Sequence, residues 1–350
     1  MEAAVVPQTV NFNQSRLKTF DRCPKQYEYK YVQLLQPKRH ERALFLGTWI
    51  HACLETHYRD GDWKIGHQIF VNQWNKLFEE EQEALRKKGK RFLPPLPEVV
   101  ERVMKSYLWY YRDENWTPRY VETILEVPTP LIIDGTRFVF KGRLDLVIED
   151  EEGLLWLVDH KSASNIPQPT AFHAMDPQLM LYPWAAQEQF GIEIAGVIYN
   201  YVGSKPPSVP QLNKDGSISR RKVKTDYPTL LRFLKENGFN PGDFKPVLRQ
   251  LYRKSEFLRR YKMPREKVVT REVLLDTLSK VKRIHETKRF TRTITRDCVR
   301  CPYADLCRAE LNGFETDLMR KERYTIGEED YVVGSISREV LDDVDEDEEG

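Results

Sequence analysis

The 350-residue chain has no unbroken apolar run of about 18 residues, which excludes a transmembrane helix of ordinary length and argues against a membrane partner. Its first fifteen residues carry neither a basic head nor a long apolar stretch, so no secretory leader is expected. No repeat of fixed period occurs, which argues against solenoids and propellers. Cysteine is scarce, with five residues at 23, 53, 298, 301 and 307. An odd count in that clustered spacing argues against a secreted disulfide framework. Thiolate ligation in a reducing compartment fits better, and the expected location is cytoplasmic.

The formal net charge of +2 is small, but it is unevenly distributed. Residues 1–204 are close to neutral. Residues 205–300 hold 26 Lys/Arg against 10 Asp/Glu, and residues 301–350 hold 5 against 16. A basic block of that density suits a polyanion. It equally suits a solvated helical surface.

The length fits one large domain or two modest ones. Helices are expected from Ser15 past Phe20, over 45–58, and over 68–89 and 97–112 on either side of a proline-rich breaker at 93–97. The texture then changes to β-branched runs at Val121–Val127, Thr136–Ile148 and Leu154–Val158. Asp134-Gly135 and Glu152-Gly153 turns separate them. A helix over 176–189 and a strand over 195–202 follow. This order predicts an α/β fold around a central mixed sheet. Residues 204–225 read as a loop and 227–289 as mainly helical. The final residues, from Asp342 on, are too acidic and too poor in apolar side chains to order themselves.

The richest stretch is Gly142-Arg143-Leu144-Asp145, followed by Asp159-His160-Lys161. Burying a carboxylate is costly without a partner. A hairpin spanning the interval brings Asp145 and Asp159 side by side, and two converging carboxylates make a hard oxygen site for Mg²⁺ or Mn²⁺. Lys161 shares a strand face with Asp159. Taken alone, Asp-x-Lys is more commonly a buried ion pair. His51, taken alone, is an ordinary helix histidine, and Gln178 and Tyr182 are two polar groups on one helix face. The triplet Cys298, Cys301 and Cys307 suits either zinc or an iron–sulfur cluster.

In order, Ser15-Arg16-Leu17, Phe20, Cys23-Pro24, Gly47, His51, Gly142-Arg143-Leu144-Asp145, Asp159-His160-Lys161, Gln178, Tyr182 and the cysteine triplet resemble the RecB-type nucleases of the PD-(D/E)xK superfamily. The closest likeness is to their iron–sulfur branch, which includes AddB-like, CRISPR-associated and phage exonucleases. Leu144 stands where the superfamily name has proline, and His160 where an aromatic residue is more usual. The resemblance implies a restriction-endonuclease-like α/β core with a central mixed sheet, helical additions and a C-terminal iron–sulfur segment. It makes His51, Asp145, Asp159 and the His160 carbonyl metal ligands. Lys161 would position the attacking water, and Gln178 and Tyr182 would orient the site and the nucleic-acid backbone. Cys23, Cys298, Cys301 and Cys307 would hold a [4Fe–4S] cluster, with Cys53 a buried free thiol. Glu126, on the preceding strand, reads either as a further acidic neighbour or as a surface residue, and is left outside the ligand set.

The chain therefore divides into an N-terminal helical part (1–119), a nuclease core (120–204), a basic segment (205–297), the cysteine triplet (298–312) and an acidic C-terminal segment (313–350). The expected activity is a metal-dependent DNA exonuclease acting on single-stranded ends in recombination, repair or phage DNA processing. The alternatives are a nuclease subunit of a helicase–nuclease or spacer-acquisition complex, and a non-catalytic DNA-binding module. No G-x4-G-K-[ST] loop is present, so any motor belongs to a separate subunit. Arg220-Arg221-Lys222-Val223-Lys224 and Arg259-Arg260-Tyr261-Lys262 are the expected DNA-facing cations.

Overall fold

The computed structural model describes residues 9–38, 42–87, 95–168, 173, 175–219, 221, 223–264 and 267–327. The acidic tail, Arg220 and Lys222 lie outside the described residues. The N-terminal helices are α1 (Gln14–Arg22), α2 (Arg42–Asp60), α3 (Trp63–Lys87) and α4 (Leu96–Tyr110). The cap of α1 is Asn13 rather than Ser15: its Oδ1 accepts from Arg16 N at 2.9 Å. Trp49, Leu54, Val100, Met104 and Tyr107 are fully buried where α2, α3 and α4 meet. Each such side chain contributes about 1.5–3 kcal/mol of burial.

The central sheet has six strands: β1 (Thr9–Phe12), β3 (Thr117–Ile133), β4 (Thr136–Glu149), β5 (Leu155–Ala163), β6 (Ile194–Gly203) and β7 (Leu258–Pro264). It is mixed: β3–β4, β4–β5 and β6–β7 pair antiparallel, and β1–β4 and β5–β6 pair parallel. The parallel β5–β6 pair requires a crossover, which α5 (Pro177–Phe190) supplies. Asp176 starts that helix, its carboxylate accepting from Gln178 N at 3.0 Å, and Gly191 ends it at φ +66 in the left-handed region. Leu179, Leu181 and Ala185 of α5 bury one sheet face with Phe138, Phe140, Val147 and Leu157. Tyr58 of α2 packs on the other face against Leu146, Val158 and Ile198.

Beyond β6 the chain forms α6 (Tyr227–Glu236), α7 (Lys245–Arg253) and, after β7, α8 (Lys267–Glu286). Asp226 caps α6, accepting from Thr229 N at 3.0 Å, and binds Ser106 of α4. The expectation of a mainly helical 227–289 misses β7. That edge strand reads Leu-Arg-Arg-Tyr-Lys-Met-Pro, and its cations mask the alternation that marks a strand.

The last part returns to the first. A two-stranded ladder joins β2 (Leu35–Pro37) to β8 (Tyr324–Ile326). Tyr29, Leu35, Tyr303, Leu306 and Tyr324 form a small core beside it. Glu310, on helix α9 (Ala304–Leu311), gathers Tyr29 Oη at 2.6 Å, Arg292 Nη2 at 2.9 Å and Arg320 Nη2 at 2.6 Å.

Candidate active site and cysteine cavity

The site occupies a notch in the sheet. β3 lines one edge of β4 along its whole length, so β1 and β5 share the other. β1 reaches Phe140 and β5 begins at Leu146, leaving an opening between them. Continuing the β4–β5 register by one residue sets Asp145 opposite Asp159. On the other edge, Val121 pairs Leu146 and Thr123 pairs Leu144, which sets Glu122 opposite Asp145. Three carboxylates thus stand in one row across three strands. Glu122 sits there at φ +44, an uncommon conformation for a non-glycine residue. Asn13, after β1, lines the same 390 Å³ cavity.

α2 reaches the notch from one face and α5 from the other. Gly47 lets α2 lie close on β5: a Cβ there would sit 2.8 Å from Ser162 Oγ. One turn on, His51 Nδ1 lies 3.8 Å from Asp145 Oδ2. From α5, Gln178 Nε2 donates to Asp159 Oδ1 at 2.9 Å, and its Oε1 lies 3.4 Å from Lys161 Nζ. Lys161 Nζ also donates to Asp159 Oδ1 at 2.9 Å and lies 2.7 Å from Oδ2. Tyr182, one turn past Gln178, lines the cavity edge-on to Phe140.

Burial pushes the Asp159 carboxyl up while Lys161 pulls it down. Burial opposes the charge on Lys161, but Asp159 outweighs it and holds the ammonium above the ordinary lysine range. Lys161 is therefore a fixed cation at neutral pH. Burial, with the adjacent Asp145, raises Glu122 to about 8 against the pull of Arg143, whose Nε lies 3.0 Å away.

The donor set fits a hard divalent cation. His51, Glu122 and Asp145 each offer an atom within 4.8 Å of the others. Asp159 Oδ2 is buried without an aligned hydrogen bond, although Lys161 is close. Imidazole nitrogen with carboxylate oxygen suits Mn²⁺ and Mg²⁺. The sequence pattern does not point to Glu122; Glu126, left outside the ligand set, lies further along β3 and outside the cavity lining. His160 is buried, its main-chain N–H donating to Asp145 Oδ2 at 2.7 Å. Burial pushes its imidazole down to about 3, so the ring is neutral.

Cys23, Cys298, Cys301 and Cys307 line a second cavity of 730 Å³. Thr293 bridges two of them: its N–H donates to Cys23 Sγ at 3.4 Å, and its carbonyl accepts from Cys298 Sγ at 3.8 Å. Burial raises the Cys301 thiol, and the other three sulfurs add to the shift. Cys53 lies apart, fully buried between helices, its thiol well above the usual range for the same reason. Of the expected DNA-facing cations, Arg260 is enclosed and ion-paired to Glu114. Lys262 lies over Trp156 at 4.0 Å and pairs with Asp150 at 3.2 Å.

Fold and site together define the class: a mixed-sheet α/β protein whose strands carry a carboxylate–lysine centre. Residues 11–308 match the family model of the PD-(D/E)XK nuclease superfamily, and the chain belongs to it. It is a family of nucleases, which implies a nucleic-acid substrate. Among solved structures, the chain is similar to the protein SSO0001, at 12% identity and a TM-score of 0.30, covering 88% of this chain and 89% of that one. It is also similar to a candidate exonuclease from Eubacterium rectale, at 10% identity and a TM-score of 0.41, covering 82% and 86%. No curated protein matches the sequence. No helix among the described residues is long and apolar enough to cross a membrane.

Proposed function

We propose that the protein is a metal-dependent deoxyribonuclease of the iron–sulfur branch, hydrolysing single-stranded DNA from its ends in recombination, repair or phage DNA processing. The observation that carries this reading is the Lys161 ammonium held on Asp159 beside the His51–Glu122–Asp145 donor set. When bound there, Mg²⁺ or Mn²⁺ supplies Lewis acidity and counter-charge for an oxyanion. His51, Asp145, Asp159 and the His160 carbonyl would hold it, with Glu122 joining them. Lys161 orients water and steadies the negative charge that grows on the phosphoryl oxygens. Gln178 fixes both members of the Asp159–Lys161 pair, and Tyr182 walls the cavity where the strand would pass. The basic segment supplies contacts to the DNA backbone.

The four cysteines are proposed as ligands of a [4Fe–4S] cluster. Tetrahedral zinc at about 2.3 Å from each sulfur needs sulfurs about 3.8 Å apart. Among the described residues, no three cysteine sulfurs lie within 4.8 Å of one another, which favours the larger group. Arg292, paired with Glu310 and hydrogen-bonded to Cys307, adds a cation suited to an anionic cluster. The cluster would tie residue 23 to residues 298–307 and so close a long loop.

Linear and covalently closed single-stranded DNA distinguish an exonuclease from an endonuclease. With Mg²⁺ or Mn²⁺ the linear strand is degraded to short products and the circle survives. Loss of both at similar rates would contradict the end requirement, and loss of neither would contradict the proposed activity.

A further inference from the structure

Behind the notch, β5, β6 and β7 align His160, Asn200 and Arg260 in one cross-strand row. The Arg260 guanidinium carbon lies 3.5 Å from the ring centre of Tyr111 and 3.8 Å from that of Trp116. Its Nη1 pairs with Glu114, and its Nη2 donates to Tyr58 Oη at 3.2 Å and Tyr107 Oη at 2.9 Å. Its Nε donates to Asn200 Oδ1 at 3.2 Å. A guanidinium engaged on every nitrogen is not free to meet DNA.

Its chemistry fixes its neighbours in turn. Arginine has donors only, so the Asn200 oxygen must face β7. The Asn200 amide nitrogen then faces β5, 3.0 Å from Tyr107 Oη and 2.8 Å from His160 Nδ1. A ring nitrogen meeting an NH₂ donor at that distance carries no proton, so the His160 proton sits on Nε2. The ring lies parallel to Tyr58, with centroids 5.9 Å apart at 15°, and edge-on to His51 at 5.9 Å. Tyr58 stands two turns after His51 on α2. Its hydroxyl joins the same network through Tyr107 at 2.7 Å and Glu114 at 2.9 Å. One buried network therefore grips β5 at His160, whose main-chain N–H supports Asp145, and α2 at Tyr58, two turns from His51.

We propose that Asn200 and Arg260 are positioning residues for the cation site: they fix the tautomer and pose of His160 and the seating of α2 on β5, and so the spacing of His51 and Asp145. This rests on the cation-site reading above. A polar network hydrogen-bonded at this many points in a low-dielectric interior rigidifies what it holds.

The test uses full-length protein labelled with [¹⁵N]histidine, without DNA. In the cation-free protein, His160 is expected to show a protonated Nε2 and a bare Nδ1. Asn200→Asp is nearly isosteric, replaces the donor by an acceptor and should move the proton to Nδ1. Mn²⁺ affinity, read by electron paramagnetic resonance, then falls about 10- to 100-fold, the range for outer partners of metal ligands. Arg260→Met with Glu114→Gln removes the guanidinium without stranding a buried charge and should weaken Mn²⁺ binding likewise. If that double variant does not fold, Asn200→Asp decides alone. A wild-type His160 protonated on Nδ1 would overturn the inference, as would Mn²⁺ affinity within about twofold of wild type in Asn200→Asp. Asp145→Asn separates the two levels. Unchanged Mn²⁺ binding in that variant removes the cation site itself. Lost binding in Asp145→Asn alone, with Asn200→Asp intact, removes only the positioning role.

Discussion

Asp159→Ala reduces DNA cleavage by on the order of 10³-fold or more, equivalent to about 4 kcal/mol of barrier. The carboxylate meets Lys161 and Gln178 on one oxygen, and its other oxygen is buried without an aligned partner. Packing alone does not account for a charge in that position. Lys161→Ala loses cleavage to a similar degree for a different reason: the lysine supplies no cation ligand, so Mn²⁺ still binds. Calorimetric Mn²⁺ titrations beside cleavage rates distinguish the two variants, because Asp159→Ala should lose both. Glu122→Gln should weaken Mn²⁺ binding, and Glu126→Gln, outside the cavity lining, should not. Near wild-type cleavage by Asp159→Ala would place the active site elsewhere.

The second large effect concerns the cysteine cavity. Protein purified without oxygen is expected to be brown, with about four irons per chain for a [4Fe–4S] cluster. Cys301→Ser loses the colour and much of the soluble yield. The reason is structural: Cys23 at the end of α1 and the 298–307 turn are joined through Thr293 and one shared cavity. Without a bound group, burial keeps Cys301 a neutral thiol and nothing links the sulfurs across the cavity. Iron and acid-labile sulfide analysis decides the point. One zinc per chain with neither iron nor sulfide would contradict it.

Much of this site can be read from sequence because its parts are local. Asp145, Asp159 and Lys161 fall within one hairpin, where alternation and a Glu152-Gly153 turn fix the geometry. Gln178 and Tyr182 share a helix face for the same kind of reason. Glu122 is different. Counting back from the Asp134-Gly135 turn without irregularity would put Ile124 opposite Asp145. The register shift between Pro128 and Ile132 moves Glu122 there instead, and bulges of that kind leave little trace in composition. β7 was hidden by its cations, and with it the enclosure of Arg260. That residue reads as a DNA contact until the aromatic rings around it are known. The α1 cap shifted from Ser15 to Asn13 because both residue types cap well and only the backbone chooses between them.

The most direct test of the central claim is single-turnover cleavage of an end-labelled single-stranded oligonucleotide by anaerobically purified protein. Mg²⁺ or Mn²⁺ should support cleavage to short products, and EDTA should stop it until the cation is restored. Undiminished cleavage in EDTA, or intact DNA under every cation with the protein folded and its cluster present, would contradict a metal-dependent nuclease.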